Sequence, residues 1–351
     1  MSDVPEGLVR VDPATAGFCR RRRGRGWSFY DCAGTPITDP QEIARLKSLA
    51  IPPAWQEVWI CPDREGHIQA VGVDAAGRRQ YRYHERWRRS RDRDKYDRVL
   101  ELGSSLADVR RELVRRLEAK GLGQDRVLAG GVRMLDVGVF RPGGEEYAPG
   151  DDDEDGTFGL ATLRREHVRL NRGAVVFSYP AKGGVPRTLA LRDPLLHRVV
   201  NSLLRRRGGG EDLLAYRVGR GWHDVRAEDL NAAVKEVVGD RYSCKDLRTW
   251  NATVLAAADL AGQVARGGVP ERERTRKRVV KRAIEHVADH LGNTPTVARS
   301  SYIDPRVIER FEQGRTVLPA LRALGNGSGP DLTDDAVRAE VERAVVRLIA
   351  G

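Results

Sequence analysis

Apolar residues recur at helical spacing through most of the chain from about Ser105 to the C-terminus. A repeat of three to four residues is typical of helices that bury one face. Gly121, Gly239 and Gly292 each follow such a segment, and glycine readily adopts the conformation that ends a helix. The pattern predicts these helices: Leu106–Lys120, Pro194–Arg206, Ala227–Val238, Lys245–Ala265, Glu271–Leu291, Pro305–Glu312 and Thr333–Ala350.

One β feature interrupts the helical pattern. The segments Ala174–Tyr179 and Arg187–Leu191 are rich in apolar and β-branched residues, and the segment between them contains two prolines and two glycines. Two extended segments joined in this way predict an antiparallel hairpin. Lys182 lies at the predicted tip of the hairpin, next to the glycines.

The region before the helices has a different pattern, with short extended segments separated by turns. Val58–Cys61 and His67–Val73 are predicted strands, and Pro40–Leu49 is a predicted helix. We therefore expect an α+β fold in two domains. A small β-rich domain would occupy residues 1–90, and a larger, mainly α-helical domain that contains the hairpin would occupy residues 91–351.

Basic residues outnumber acidic ones, 61 to 50, which gives a formal net charge of +11. This excess predicts a polyanionic partner and does not bear on the fold. Between Arg78 and Arg98, ten of 21 residues are basic, and tyrosine and tryptophan are interspersed among them. Such a stretch is either a solvated charged linker or a surface for phosphates and bases. We expect it to join the two domains.

Several classes of protein are disfavoured by what the sequence lacks. No window is apolar enough to span a membrane and the N-terminus has no signal-peptide pattern, so we expect a cytoplasmic protein. Neither the four scattered cysteines nor the HVADH motif at 286–290 predicts a metal site. No GxxxxGKS or GxxxxGKT loop indicates nucleotide hydrolysis. The acidic run Asp151–Asp155 lacks the spacing of a calcium loop, so we expect a solvated insertion.

Two arginines and a lysine are candidate phosphate ligands. Arg141 lies in FRPGGEEY, at the expected end of an element, and Arg248 lies near the start of a predicted helix, where backbone N–H groups favour an anion. The guanidinium group suits non-bridging phosphate oxygens because it is planar and always charged. Lys182 differs, since a lysine can give its proton to a leaving alkoxide. Alone, each residue is better explained by an ordinary surface role.

Tyr302 is the candidate nucleophile. It ends a run of small and polar residues in LGNTPTVARSSYIDP (291–305). A tyrosine placed in this way can attack a phosphodiester and hold the product covalently, provided that cations bind the phosphate oxygens.

The order Arg141, Lys182, Arg248, Asn293, Tyr302 resembles that of the small poxvirus-type and bacterial type IB DNA topoisomerases. The resemblance covers nearly the whole chain. It is carried by GFCRRRRGRGWSFYDCAG (17–34), LAIPPAWQEVWICP (49–62), GHIQAVGVDAAGRRQYRYHERWR (66–88), FRPGGEEY (140–147), GLATLRREHVRL (159–170), FSYPAKGGVPRTL (177–189), KDLRTWNATV (245–254) and GNTPTVARSSYIDP (292–305).

The resemblance implies a role for each of these residues. Tyr302 would be the nucleophile, Arg141 and Arg248 would bind the scissile phosphate, and Lys182 would be the general acid for the 5′ oxygen. Asn293 stands where such enzymes often have histidine, and its amide can donate a hydrogen bond without charge. The product would be a 3′-phosphotyrosyl bond formed without ATP, metal or cofactor. No residue stands out as a base for the phenol.

The resemblance also implies a monomer that closes as a C-shaped clamp on double-stranded DNA and relaxes supercoils of both signs. Gln80, Tyr81 and Tyr83 would face the major groove. Arg78 and Lys245 are further candidate DNA contacts. The acidic insertion would repel phosphate, so we expect it to point away from DNA. These roles place the protein at a bacterial nucleoid.

Two alternatives remain at this point. A tyrosine site-specific recombinase uses similar chemistry, but such enzymes usually carry His-x-x-Arg where this chain has Lys245-Asp-Leu-Arg248, and they lack the IPPAW and GRRQYRY stretches. A non-catalytic DNA-binding protein would use only the basic surface. For such a protein, Tyr302→Phe would leave every activity unchanged.

Overall fold

The protein is represented by a computed structural model that describes residues 4–144, 157–181, 184–325 and 332–351. The chain divides into two compact units, Met1–Asp97 and Arg98–Gly351. Each unit contains a hydrophobic core of its own. The boundary expected at residue 90 lies seven residues before this division.

The first unit consists of antiparallel strands and one short helix. Its elements are β1 (Cys19–Arg23), β2 (Gly26–Tyr30), α1 (Pro40–Ser48), β3 (Gln56–Ile60), β4 (Ile68–Val73) and β5 (Arg79–Tyr83). β1 pairs with β2, and β3, β4 and β5 form a sheet in that order. The small core contains Phe29, Leu46, Ile60 and Ala70. The predicted β-rich N-terminal region is therefore confirmed.

The basic stretch from Arg78 to Arg98 forms regular structure. It contains strand β5 and the first part of helix α2 (Glu85–Leu117). The prediction of a helix over Leu106–Lys120 missed these first turns, because their many charges hide the apolar stripe. Ion pairs one turn apart, such as Arg89 with Glu85 at 2.5 Å, give the exposed face of the helix modest support.

Helices dominate the second unit. They are α3 (Gln124–Gly138), α4 (Pro194–Leu204), α5 (Ala227–Val238), α6 (Cys244–Gly267), α7 (Glu273–Leu291), α8 (Pro295–Ser301), α9 (Pro305–Glu312), α10 (Leu318–Ala323) and α11 (Asp335–Ala350). The predicted helices correspond to α4, α5, α6, α7, α9 and α11, and the predicted bounds of α5 and α9 coincide with the observed ones.

Helix α3, which leads to Arg141, was not predicted. It contains Gly130 and Gly131, and a helical glycine costs roughly 1 kcal/mol relative to alanine. Here the glycines permit close packing: a Cβ atom on Gly131 would lie 2.6 Å from Cδ2 of Leu230 on α5. Most of the helix is buried, so tertiary packing outweighs its weak intrinsic propensity.

The second unit also contains short strands. They are β6 (Val168–Asn171), β7 (Ala174–Ala181), β8 (Val185–Leu191), β9 (Ala215–Val218) and β10 (Gly221–Asp224). β6, β7 and β8 form an antiparallel sheet in that order, which confirms the predicted hairpin, and β9 pairs with β10. Lys182 at the predicted hairpin tip and the acidic run Asp151–Asp155 lie outside the described residues.

A buried ionic network joins α2, α3 and α11. Arg110 donates to both carboxylate oxygens of Asp136, at 2.8 and 3.0 Å, and to both of Glu342, at 2.7 and 2.8 Å. The network extends to α6, where the Asn251 amide donates to the Asp136 carbonyl at 2.7 Å. It therefore fixes the end of α3 relative to α6.

No helix in the described part of the chain has the length and apolar character of a membrane span.

Candidate active site

Tyr302 lies in the short connection between α8 and α9. Both helices have proline in the first turn, where its missing N–H costs no helical hydrogen bond. Thr294 caps α8 and Asp304 caps α9 with their side-chain oxygens. Ile303 is fully buried and anchors the connection in the core. The Tyr302 side chain is half-buried and lines a cavity.

Arg248 is fixed beside the phenol. It lies near the start of α6 and is 3% exposed. One terminal nitrogen donates to the Val139 carbonyl, and the other donates to the Leu291 carbonyl. Its guanidinium carbon is 5.2 Å from the centre of the Tyr302 ring, within the range of a cation–π contact.

Arg141 and Asn293 meet on the same side of the cavity. Arg141 donates to the Gly292 carbonyl at 2.9 Å and to Oδ1 of Asn293. The Nδ2 atom of Asn293 is buried and has no hydrogen-bond partner among the described residues. Because the side-chain oxygen already accepts from Arg141, the amide is left as a donor for an oxygen that enters the cavity.

Arg187 is a third guanidinium at the site, and the sequence analysis missed it. It lies on β8 and donates at 3.0 Å to the carbonyls of Gly138 and His290. It also donates to the Tyr179 hydroxyl at 3.2 Å. Its position on the predicted hairpin, five residues after Lys182, was the one sequence signal that it lies near the site. Its partners, 49 and 103 residues away along the chain, could not be found without the fold.

The three arginines are bound mainly by carbonyl groups at the ends of α3 and α7. Carbonyls at a helix C-terminus carry partial negative charge and lack partners within the helix. In the described part of the chain, the hydrogen-bond partners of Arg141, Arg187 and Arg248 are neutral oxygens, with no carboxylate among them. The positive charge is therefore available to an anionic ligand.

Burial and mutual repulsion lower the pKa of Arg248 and Arg141. Burial is the main cause that lowers the pKa of Arg248 to about 10. The Tyr302 phenol acts in the opposite direction and raises this pKa, whereas the charges of Arg141 and Arg187 lower it further. Burial likewise lowers the pKa of Arg141. Both groups stay protonated at neutral pH. Binding of an anion would relieve the repulsion between them.

These residues line a cavity of about 1000 Å³ in the second unit. Of the predicted site residues, the structure brings together Arg141, Lys245, Arg248, Asn293 and Tyr302. Ala181 and Val185, the ends of the hairpin strands that flank Lys182, also line it. Cys244 does as well, but burial raises the pKa of its thiol to about 12, which disfavours a thiolate nucleophile.

The other predicted DNA contacts belong to the first unit. Tyr81 and Tyr83 are 40% and 46% exposed on β5, and their rings stack with centroids 5.8 Å apart. Gln80 donates to the Asp74 carboxylate at 2.9 Å, and the Arg78 Nε atom donates to it at 3.1 Å. The tyrosines therefore present aromatic surface, while the two polar side chains are oriented by the aspartate.

Comparison with known proteins supplies independent information. Residues 84–317 match the family described as eukaryotic DNA topoisomerase I, catalytic core. Residues 26–74 match the family described as bacterial DNA topoisomerase IB, N-terminal domain. The chain is also 25% identical over 308 residues to DNA topoisomerase 1B of Acanthamoeba polyphaga mimivirus, in an alignment that covers 84% of this chain and 88% of the viral protein.

Proposed function

The chain belongs to the type IB DNA topoisomerases, and from this premise we propose that it relaxes supercoiled duplex DNA through a transient 3′-phosphotyrosyl bond to Tyr302. The observation that carries the proposal is the placement of this phenol beside Arg248 in a cavity that Arg141 and Asn293 also line. A phenol next to two cations whose hydrogen-bond partners, among the described residues, are neutral oxygens suits attack on a phosphodiester.

In the proposed cleavage step, the Tyr302 oxygen attacks the scissile phosphorus and loses its proton to solvent water. A bond forms between phosphorus and the phenolic oxygen, and the bond from phosphorus to the 5′ oxygen breaks. The 5′ oxygen leaves as a hydroxyl after it takes a proton, which we assign to Lys182. Religation is the reverse reaction. The tyrosyl ester conserves the energy of the phosphodiester, so the cycle needs no ATP.

Charge develops on the non-bridging oxygens in the transition state. We assign Arg141 and Arg248 to these oxygens, since a guanidinium can donate two parallel hydrogen bonds to them. Asn293 would donate from its unpartnered amide nitrogen. Preorganised donors of this kind act without reorganisation at the moment of reaction. Because the chain supplies these groups itself, we expect the reaction to proceed in EDTA.

The partner is double-stranded DNA, which we propose is bound by both units of one monomer that closes as a clamp. The exposed pair of Tyr81 and Tyr83 would contact the duplex, with Arg78 and Gln80 beside them, and Lys245 would contact DNA from the cavity wall. Neutralised phosphates release counterions, so affinity should fall steeply as salt increases. Such a substrate places the enzyme at the nucleoid, in the cytoplasm.

The proposal is tested by relaxation of negatively and positively supercoiled plasmid in EDTA without ATP. The wild-type protein should relax both substrates, and Tyr302→Phe should relax neither while it still binds DNA. The covalent complex, trapped with detergent, should carry protein on the 3′ end of the broken strand. Protein on the 5′ end, or relaxation by Tyr302→Phe, would contradict the assignment of the nucleophile.

A further inference from the structure

The backbone on either side of Ile303 is contacted by one side chain, that of Thr253. The Thr253 Oγ1 atom lies 3.3 Å from the Tyr302 carbonyl oxygen and 2.9 Å from the Thr249 carbonyl oxygen, so its single proton is shared between these two acceptors. The Thr253 Oγ1 atom also accepts a hydrogen bond from the Asp304 N–H at 3.1 Å. Thr253 is 1% exposed, so water cannot replace these partners easily.

Thr253 lies on α6, the helix that also carries Arg248. The two residues are five positions apart, a rise of roughly 7.5 Å along the helix axis. Thr253 contacts the Tyr302 backbone, and Arg248 contacts the Tyr302 ring. One rigid helix therefore determines where the tyrosine lies relative to its neighbouring cation.

The segment that contains Tyr302 depends on such contacts. The flanking helices α8 and α9 have seven and eight residues, and helices this short are marginally stable without tertiary packing. The connection between them is three residues long. Its contacts with the rest of the unit include the buried Ile303 side chain and the Thr253 hydroxyl. The Tyr302 and Ile303 N–H groups donate to the Ala298 carbonyl within the segment, whereas the Thr253 hydroxyl binds the Asp304 N–H from a separate helix.

We propose that Thr253 is a positioning residue for the nucleophile: its hydroxyl holds the Tyr302 backbone so that the phenol lies beside Arg248. This inference rests on the proposed role of Tyr302. Loss of the hydroxyl would leave the Asp304 N–H without its acceptor and would remove a donor from beside the Tyr302 carbonyl, so the connection would shift to find other partners. Small misplacements of a reacting group are enough to slow attack strongly.

The test uses the full chain and a nicked DNA substrate that traps the covalent complex in a single turnover. Thr253→Val keeps the shape of the side chain and removes the hydroxyl. We expect its cleavage rate at saturating DNA to fall on the order of tenfold to a hundredfold, with unchanged affinity for DNA. Thr253→Ser, which keeps the hydroxyl, should restore most of the rate.

Thr249→Val is the matched control. Thr249 lies one turn earlier on α6, is equally buried, and donates only within the helix, to the Lys245 carbonyl at 2.9 Å. This variant should cleave at close to the wild-type rate. If Thr253→Val fails to fold, Thr253→Ser and Thr253→Ala decide the question, because they differ only in the hydroxyl.

Equal cleavage rates for Thr253→Ser and Thr253→Ala would overturn the inference, as would a folded Thr253→Val with the wild-type rate. Failure of the proposed function has a different signature. In that case the wild-type protein would form no covalent complex, or Tyr302→Phe would still form one.

Discussion

The guanidinium carbon of Arg248 lies 5.2 Å from the centre of the Tyr302 ring, and the same side chain donates to carbonyls of two separate segments. The arginine thus joins the ends of α3 and α7 next to the nucleophile. Lysine would keep the positive charge, but its ammonium group cannot donate in two divergent directions from a planar fork. The contact therefore depends on guanidinium geometry as well as on charge.

We expect Arg248→Lys to lower the rate of single-turnover DNA cleavage by on the order of a hundredfold or more. The rate is measured with the nicked substrate at saturating protein. Arg111→Lys is a suitable control, because Arg111 is 74% exposed and pairs only with its helical neighbour Asp108. Equal rates for Arg248→Lys and the wild-type protein would show that charge alone is sufficient.

Asn293 gives a second prediction. Its oxygen accepts from Arg141, and its buried amide nitrogen has no partner in the described part of the chain. We expect Asn293→Ala to slow cleavage by on the order of a hundredfold, the usual effect of removing one transition-state donor. Asn293→Asp should be slower still, because a carboxylate would neutralise Arg141 and repel the phosphate. An aspartate variant faster than the alanine variant would contradict this role.

Much of the helical framework could be predicted from the sequence. The bounds of α5 and α9 follow from a polar start and regular apolar spacing, which are local signals. The missed α3 shows the limit of such signals. Its two glycines lower the local propensity, and only the packing of Gly131 against Leu230 explains why they lie in a helix.

The candidate site was predictable in its residues and not in its contacts. Arg141, Arg248, Asn293 and Tyr302 were identified from motifs, and the structure brings them to one cavity. Arg187 was missed because its place on the predicted hairpin near Lys182 is a weak signal by itself, and its partners come from helix ends far away along the chain. Contacts of this kind depend on tertiary structure, which local sequence patterns do not encode.

The buried ionic network that contains Asp136 leads us to expect a large loss of stability when this residue is substituted. Asp136 is 2% exposed, and the charges of Arg110 and Arg338 overcome the effect of burial and hold the pKa of its carboxyl well below the usual range. Asp136→Asn would remove one of the two buried carboxylates that pair with Arg110 and Arg338, and both guanidinium groups would then share Glu342. We expect the free energy of unfolding, measured in urea, to fall by about 3–5 kcal/mol.

Asp108→Asn provides the control for that measurement. Asp108 also pairs with an arginine, Arg111, but its side chain is 77% exposed. Exposed ion pairs contribute little because water and salt screen them. The unfolding curve of this variant should match that of the wild-type protein. Equal effects of the two substitutions would indicate that burial of the network does not matter.

His290 predicts a dependence of stability on pH. Burial is the main cause that lowers the pKa of His290 to about 4, and the nearby charge of Arg187 adds to it. In the unfolded chain a histidine has a pKa of about 6.5. Between these values the unfolded state binds more protons than the folded state, so stability falls as pH decreases from about 6.5 to about 4.

We expect His290→Gln to weaken this dependence, measured as the difference in Tm between pH 7 and pH 5. Part of it should remain, because burial also lowers the pKa of His67 and His167. A full wild-type difference in His290→Gln would refute the role of this group.

Lys182 can be tested through the leaving group, although it lies outside the described residues. Replacement of the 5′ bridging oxygen by sulfur gives a thiolate leaving group, which needs no proton because a thiol has a pKa of about 8.5. We expect Lys182→Ala to cleave ordinary DNA on the order of a hundredfold to ten-thousandfold more slowly than the wild-type protein, and the sulfur-containing DNA at nearly the wild-type rate. Arg248→Lys should be slow on both substrates, since its defect lies at the phosphate. If Lys182→Ala is equally impaired on both substrates, the lysine acts on the phosphate charge and the general acid is another residue.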